Sequence, residues 1–173
     1  MATPDGVAAL VGALRRVVGD AHVLRAAGDV EAYARDATPL FHARPDVVVL
    51  PRTAAEVAAV LRLASERGVP VVPRGAGSNL AAQTVAERGG IVLALSRMTS
   101  VIEVSREELL ARVEPGVTTD ELSAAVGAHG LVYPPDPGSR TVSTIGGNVA
   151  TCAGGLRGLK YGVTRDHVLG LEA

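Results

Sequence analysis

The chain has 173 residues, 47% of them hydrophobic but only 2% aromatic, and a formal net charge of −1. That length allows one domain with a substantial core filled by alanine, valine and leucine, and the near-neutral charge without a basic block argues against a nucleic-acid surface. No apolar run approaches the roughly 20 residues needed to span a bilayer, residues 1–6 lack the layout of a signal peptide, and the single cysteine, Cys152, excludes an internal disulfide and fits a reducing compartment. A soluble, cytoplasmic protein without stable membrane insertion is expected.

In chain order, Thr3-Pro4 predicts a helix start with Pro4 at the first helical position. Val7, Leu10, Val11, Leu14 and Val18 share one face, and Gly19 stops the helix. A short strand over 21–24 and a brief helix over 29–34 follow, then an irregular crossing from Tyr33 to Pro45 that contains His42. Val47-Val-Val-Leu50 is a continuous apolar run, the mark of a strand covered on both faces. Thr53 and Glu56 predict a capping box, opening a helix with a buried stripe of Val57, Val60, Leu61 and Ala64 and a stop at Gly68. Residues 69–72 form the next strand. Strand, helix and strand make a βαβ unit, whose strands should be parallel and whose crossover should be right-handed.

Further strands are expected at 91–95, 100–104 and 109–114, the last two forming a hairpin across Ser105–Glu108. Thr118 and Glu121 make a second capping box, opening a helix that buries Leu122, Ala125 and Val126 and closes at Gly130. Val168–Leu171 reads as a final strand. It meets the end of the chain with no turn or cap, so a chain cut short is expected.

Two glycine-bearing stretches stand out. In Pro73-Arg-Gly-Ala-Gly-Ser-Asn79, directly after a strand, Gly75 and Gly77 permit positive φ and close backbone approach, so consecutive N–H groups can converge on an anion. Arg74 supplies a fixed positive charge, and Ser78 and Asn79 are further donors, which suits a phosphate or pyrophosphate. The second stretch, Tyr133–Gly155, pairs prolines with Gly146, Gly147, Gly154 and Gly155 and adds the hydroxyls of Ser139, Thr141, Ser143 and Thr144. It reads as backbone laid against a ligand, with amide groups uncovered; the alternative is a long surface loop.

The first loop is not a Rossmann fingerprint, because Leu80 stands where the third glycine belongs. Nor is it an NTPase P-loop, since Gly-Lys-Ser/Thr is absent. No catalytic dyad stands out. His22 reads as an ordinary strand or surface histidine, His129 as a helix C-terminal cation, His167 as a neighbour of Asp166, and Cys152 as a packed thiol rather than a nucleophile. No Cys or His spacing matches a zinc site, so no metal is expected.

At Pro73-Arg-Gly-Ala-Gly-Ser78, Val113-Glu-Pro-Gly116, Pro135-Asp-Pro137, Ser143-Thr-Ile-Gly-Gly-Asn148, Ala153-Gly-Gly155 and Lys160-Tyr-Gly162 the chain resembles the FAD-binding domain of the vanillyl-alcohol oxidase and p-cresol methylhydroxylase superfamily. It is most similar to the branch of the glycolate oxidase D-subunit and D-lactate dehydrogenase. The resemblance runs from about Val47 to the last residue. It implies an α+β fold, with a small βαβ-containing subdomain over 47–90 and a larger, mostly antiparallel, C-terminally incomplete one over 91–173. Residues 1–46 would be a helical extension, and FAD would lie between the two subdomains.

By the same resemblance, Pro73, Arg74, Gly75, Ala76, Gly77, Ser78 and Asn79 would hold the FAD pyrophosphate. Ser143, Thr144, Ile145, Gly146, Gly147 and Asn148 would contact pyrophosphate and ribityl; Asp136, Pro137 and Ser139 would lead toward the isoalloxazine. Val168 would meet the adenine through its backbone. His42 and Cys152 fall in no motif for a covalent flavin link, so non-covalent FAD is expected. The resemblance implies an oxidoreductase that oxidises a 2-hydroxy acid by hydride transfer to flavin. The substrate-binding residues and the base would lie in a following domain, catalytic residues within this chain are unknown, and partner subunits of an oxidase complex are implied. The rival readings are a non-catalytic flavin or pyrophosphate module needing a separate substrate-domain chain, and, less favoured, a nicotinamide-binding domain.

Overall fold

The computed structural model describes residues 4–172. Thr3, expected before the first helical turn, and the Val7 side chain, expected on that helix's buried face, lie outside the described residues. The chain divides into two compact units, residues 1–97 and 98–173.

The first unit runs α1 (Pro4–Val18), a 3-10 turn (Asp20–His22), β1 (Val23–Leu24), α2 (Ala27–Glu31), β2 (Val47–Val49), α3 (Ala54–Glu66), β3 (Val71–Arg74) and β4 (Ile91–Ala94). The four strands form one sheet in the order β1-β2-β4-β3. The apolar run at β2 is covered on both sides, as its sequence predicts. Val47 and Val49 share a core with Leu10, Leu14, Val60, Ile91 and Leu93. On the opposite face Val48 packs with Val30, Val92 and Ala94. The period-two alternation of side chains across a strand produces this division.

The βαβ expectation of parallel strands is met, with a third strand between them. β2 and β3 are parallel but not neighbours, because β4 lies between them and pairs in parallel with both, Val48 and Val72 each facing Val92. A subdomain boundary at 90/91 would assign β4 to the second unit, whereas the sheet places it at the centre of the first. The reason is burial: every residue of β2 and β4 is buried, while in β3 only Arg74 is buried, Val71 and Val72 are half-buried and Pro73 is exposed. Strands covered on both faces take the centre, and Pro73, which lacks an N–H, is tolerated at an edge.

Smaller differences follow the same logic. Residues 21–24 are half 3-10 turn and half strand, α2 begins two residues earlier than expected, and β3 begins at Val71. In α3, Thr53 Oγ1 accepts from Glu56 N–H, but the Glu56 carboxylate turns to Arg52 N–H, so the reciprocal half of the box is made one residue upstream. Leu61 is 44% exposed, leaving Val60 and Ala64 as the buried stripe.

The second unit holds the hairpin β5 (Val101–Ser105) and β6 (Leu110–Val113), then α4 (Thr119–Gly127), α5 (Ile145–Thr151), α6 (Gly158–Tyr161) and a 3-10 turn (Thr164–His167). Both halves of the Thr118–Glu121 capping box are present. Val117, Leu122 and Val126 form the core, flanked by Val104, Ala111, Val113, Leu131, Tyr133 and Ile145. Val168–Leu171 is not a strand. Val168 is extended at φ −90°, but no described strand lies beside it to pair with its backbone, and Leu169 and Leu171 are exposed. The fold is α+β, as expected.

Candidate functional site

The first glycine loop leaves β3 at its C-terminal end. Among the described residues, none of the amides of Gly75, Ala76, Gly77, Ser78 and Asn79 donates a hydrogen bond within the protein. Gly77 has φ +72°, the left-handed region that favours glycine. A run of adjacent amides with no internal acceptor could hold an anion.

Arg74 does not extend into solvent. It is buried, and its Nη1 donates to the Arg35 carbonyl at 2.7 Å and to Thr84 Oγ1 at 3.2 Å. Its guanidinium carbon stands 5.5 Å from the centre of the Tyr33 ring, in cation–π range. The guanidinium packs so closely on Gly77 that a Cβ there would fall 2.2 Å from Nη2. Burial pushes the Arg74 pKa down, opposed by Tyr33 and Asp36, and a guanidinium stays protonated regardless. Asn79 serves the loop rather than projecting from it. Its Oδ1 accepts from the amides of Ala81 and Gln83, and its Nδ2 donates to Thr84 Oγ1. Thr84, Tyr33 and Arg35 escape sequence reasoning because they lie outside the glycine motif, and only folding brings them to it.

The second stretch differs from its expected form. Residues 145–151 are the helix α5, capped by the Thr144 side chain. Its first amides are covered: Ile145 N–H bonds Val117 O, Gly146 N–H bonds Pro115 O, and Gly147 N–H bonds Thr144 Oγ1. Gly146 is bare because a Cβ would fall 2.7 Å from Pro115 Cβ. Gly155, at φ +107°, leaves room for the Asp136 carbonyl, 1.8 Å from where its Cβ would be. Ser143, Thr144 and Asn148 are buried; Asn148 Nδ2 donates to Thr119 Oγ1 at 2.7 Å, and Thr119 Oγ1 lies 3.0 Å from Ser143 Oγ. Asp136 is paired with Arg140 at 3.3 Å and Arg157 at 3.6 Å. Pro137 is buried. The Ser139 carbonyl accepts from Val142 and Ser143 N–H, while its hydroxyl has no partner among the described residues.

His42 pairs with Glu31 at 2.8 Å, and His167 lies against the Tyr161 carbonyl. Cys152 Sγ accepts from Arg165 Nε at 3.1 Å, which draws the thiol pKa below its ordinary value. No group of three potential metal ligands occurs among the described residues, and no described helix is long and apolar enough to cross a membrane.

A family model described as an FAD binding domain matches residues 45–173. The chain is 51% identical over 140 residues to the glycolate oxidase subunit GlcD of Bacillus subtilis, covering 81% of this chain and 30% of that protein. To a D-lactate dehydrogenase of Anaerostipes hadrus it is 42% identical over 126 residues, covering 73% of this chain and 26% of that protein. The chain thus spans less than a third of the length of these curated relatives. Among solved structures, p-cresol methylhydroxylase shares the fold, with a TM-score of 0.77 over 87% of this chain and 30% of that one at 23% identity. The donor set is compatible with FAD: a diphosphate needs N–H groups and a nearby cation, and the Gly75–Asn79 amides have no internal acceptor among the described residues and lie next to the buried Arg74. The chain belongs to the FAD binding domain family, and its cofactor is FAD.

Proposed function

We propose that this chain is the FAD-binding part of an oxidoreductase that oxidises a 2-hydroxy acid of the glycolate or D-lactate type. The observation that carries the reading is the row of free amides from Gly75 to Asn79 next to Arg74, in a chain similar to GlcD and to D-lactate dehydrogenase. Those amides hold the diphosphate oxygens, and Arg74 adds a positive charge from a site where water screens it little.

In the second unit, Ser143, Thr144 and Asn148 act by fixing the backbone, and Ile145, Gly146 and Gly147 by close packing. Ser139 brings a free hydroxyl, and the paired Asp136 and buried Pro137 shape the path toward the flavin ring. Val168 meets the adenine through its extended backbone. FAD is held non-covalently, in keeping with the engagement of the Cys152 thiol by Arg165 and of His42 by Glu31.

When bound, FAD would supply the hydride-accepting chemistry that takes a 2-hydroxy acid to a 2-oxo acid, the hydroxyl proton going to a base. This chain binds and orients the cofactor, while a further domain supplies the groups that bind the 2-hydroxy acid and the base. Partner subunits of an oxidase complex and a cytoplasmic location belong to the same reading, supported by the subunit name of the GlcD relative and by the free thiol of Cys152.

Titration of the protein into FAD tests it. Saturable quenching of flavin fluorescence and a raised unfolding midpoint are expected, and the loss of both would overturn the FAD reading. Bleaching of bound flavin by glycolate or D-lactate in the protein joined to its substrate domain would support the enzyme. Retained FAD that neither acid bleaches would instead indicate a non-catalytic flavin-binding module.

A further inference from the structure

The two ends of the glycine loop meet at one hydroxyl. Arg74 Nη1 donates to Thr84 Oγ1 at 3.2 Å, and Asn79 Nδ2 donates to the same oxygen at 3.3 Å. Residues 75–78, with their free amides, span the interval. The Tyr33–Ala37 segment grips the same two ends: the Arg35 carbonyl accepts from Arg74, and the Ala37 N–H donates to the Asn79 carbonyl at 3.1 Å. Asn79 Oδ1, bonded to the amides of Ala81 and Gln83, turns the chain so that Thr84 returns to the loop. The segment 33–37 precedes the residues that the family model covers.

We infer that Thr84 is a positioning residue for the diphosphate loop, setting the separation of Arg74 and Asn79 with the help of the Tyr33–Ala37 segment. Thr84 does not touch the cofactor; it acts through the two residues it joins. Convergence of amides depends on the span between the loop's ends, and a cradle held in its binding shape loses less freedom when it closes on a ligand. The inference rests on the proposal that Gly75–Asn79 hold the FAD diphosphate. A hydroxyl bridging both ends is more than a packing contact, because an apolar group of equal volume would fill the space yet release both donors.

The test uses FAD affinity from flavin fluorescence, the unfolding midpoint without FAD, and hydrogen exchange at residues 75–79 in the protein saturated with FAD. Thr84→Val keeps the volume and removes the acceptor. It should weaken FAD binding about tenfold and speed exchange in the loop, leaving the ligand-free midpoint within about 4 °C of the original. Thr84→Ser restores the hydroxyl and should restore affinity and exchange protection. Tyr33→Leu reads the same seat independently: it should weaken FAD binding severalfold, and Tyr33→Phe, which keeps the ring face, should not. Thr84→Val and Tyr33→Leu proteins that fold and bind FAD as tightly as the original overturn the positioning role. If Gly77→Val still abolishes binding in that case, the diphosphate reading stands without it. An original protein that binds no FAD overturns both.

Discussion

At Gly75–Asn79 the backbone amides have no acceptor within the described protein, whereas at Ile145–Asn148 each has one: Val117 O, Pro115 O, Thr144 Oγ1 and Thr144 O. Both stretches are rich in glycine and hydroxyl groups, and both lie within the residues that the family model covers. Their glycines do different work. Gly77 turns left-handed and lies flat on a buried guanidinium, so that neighbouring N–H groups stay open. Gly146 and Gly155 are bare so that other backbone can come close, Pro115 in one case and Asp136 in the other. Glycine density therefore marks a need for close approach, and only the hydrogen-bond partners show whether that approach is by a ligand or by the protein itself.

Breaking the first region should have the largest effect. Gly77→Val puts a β-branched side chain at φ +72° and its Cβ 2.2 Å from Arg74 Nη2. FAD affinity should fall at least about 100-fold, with a stability loss of about 1–3 kcal/mol, as read by flavin fluorescence and urea unfolding. Unchanged affinity would mean that the loop is not the diphosphate site.

The counterpart in the second region is Gly146→Ala. Its Cβ would sit 2.7 Å from Pro115 Cβ and 3.1 Å from the Pro115 carbonyl oxygen. A stability loss of about 1–3 kcal/mol is expected in urea, with FAD affinity of the folded protein essentially kept. The reverse pattern, lost affinity at full stability, would make the second stretch a ligand surface after all and erase the contrast.

A smaller effect is expected at Thr118, which starts α4 and bridges to Thr144. Thr118→Ala should cost about 1 kcal/mol at neutral pH. Bonds from the Thr118 N–H and hydroxyl hold the Glu121 pKa below its ordinary value of 4.5. A lowered folded-state pKa contributes stability that is full above about pH 4.5 and is lost as pH falls through the folded value. The variant should therefore lose less stability on acidification than the original, which urea unfolding at pH 7 and at pH 3 will show. The smallest effect concerns Cys152, at the end of the same stretch. With the Arg165 Nε–H drawing its thiol pKa down, alkylation by iodoacetamide near neutral pH should slow about threefold in Arg165→Gln.

Much of the fold was legible because it follows from local pattern. The three consecutive valines of β2 announce burial on two faces, and Gly19, Gly68 and Gly130 follow their helices with positive φ. The Thr118–Glu121 box is satisfied entirely within one turn. Where the pattern failed, a competing partner, the packing of the sheet or the lack of a neighbour was the cause. The Glu56 carboxylate took the Arg52 amide, and Leu61 faces solvent because α3 turns Val60 and Ala64 to the sheet. Val168–Leu171 had the apolar residues of a strand but no described neighbour to pair with. In the candidate site, the Pro73–Asn79 motif was readable, but the seat of Arg74 was not. Tyr33 and Arg35 are about 40 residues away in sequence, and nothing near them signals a link to the loop.

The sequence by itself determined most elements of the first unit, the β5–β6 hairpin, the start of α4 and the loop with its glycines, since these rest on periodicity, capping and backbone freedom within a few residues, while the α+β class followed from the family resemblance. Tertiary structure alone decided that β4 enters between β2 and β3, and that Arg74 folds back beneath Gly77. It alone also decided that the amides of α5 are already paired, whereas those of the first loop are free. Each of these outcomes is a competition for burial or for a hydrogen-bond partner among residues far apart in the chain, and such competition is resolved only when the chain has packed.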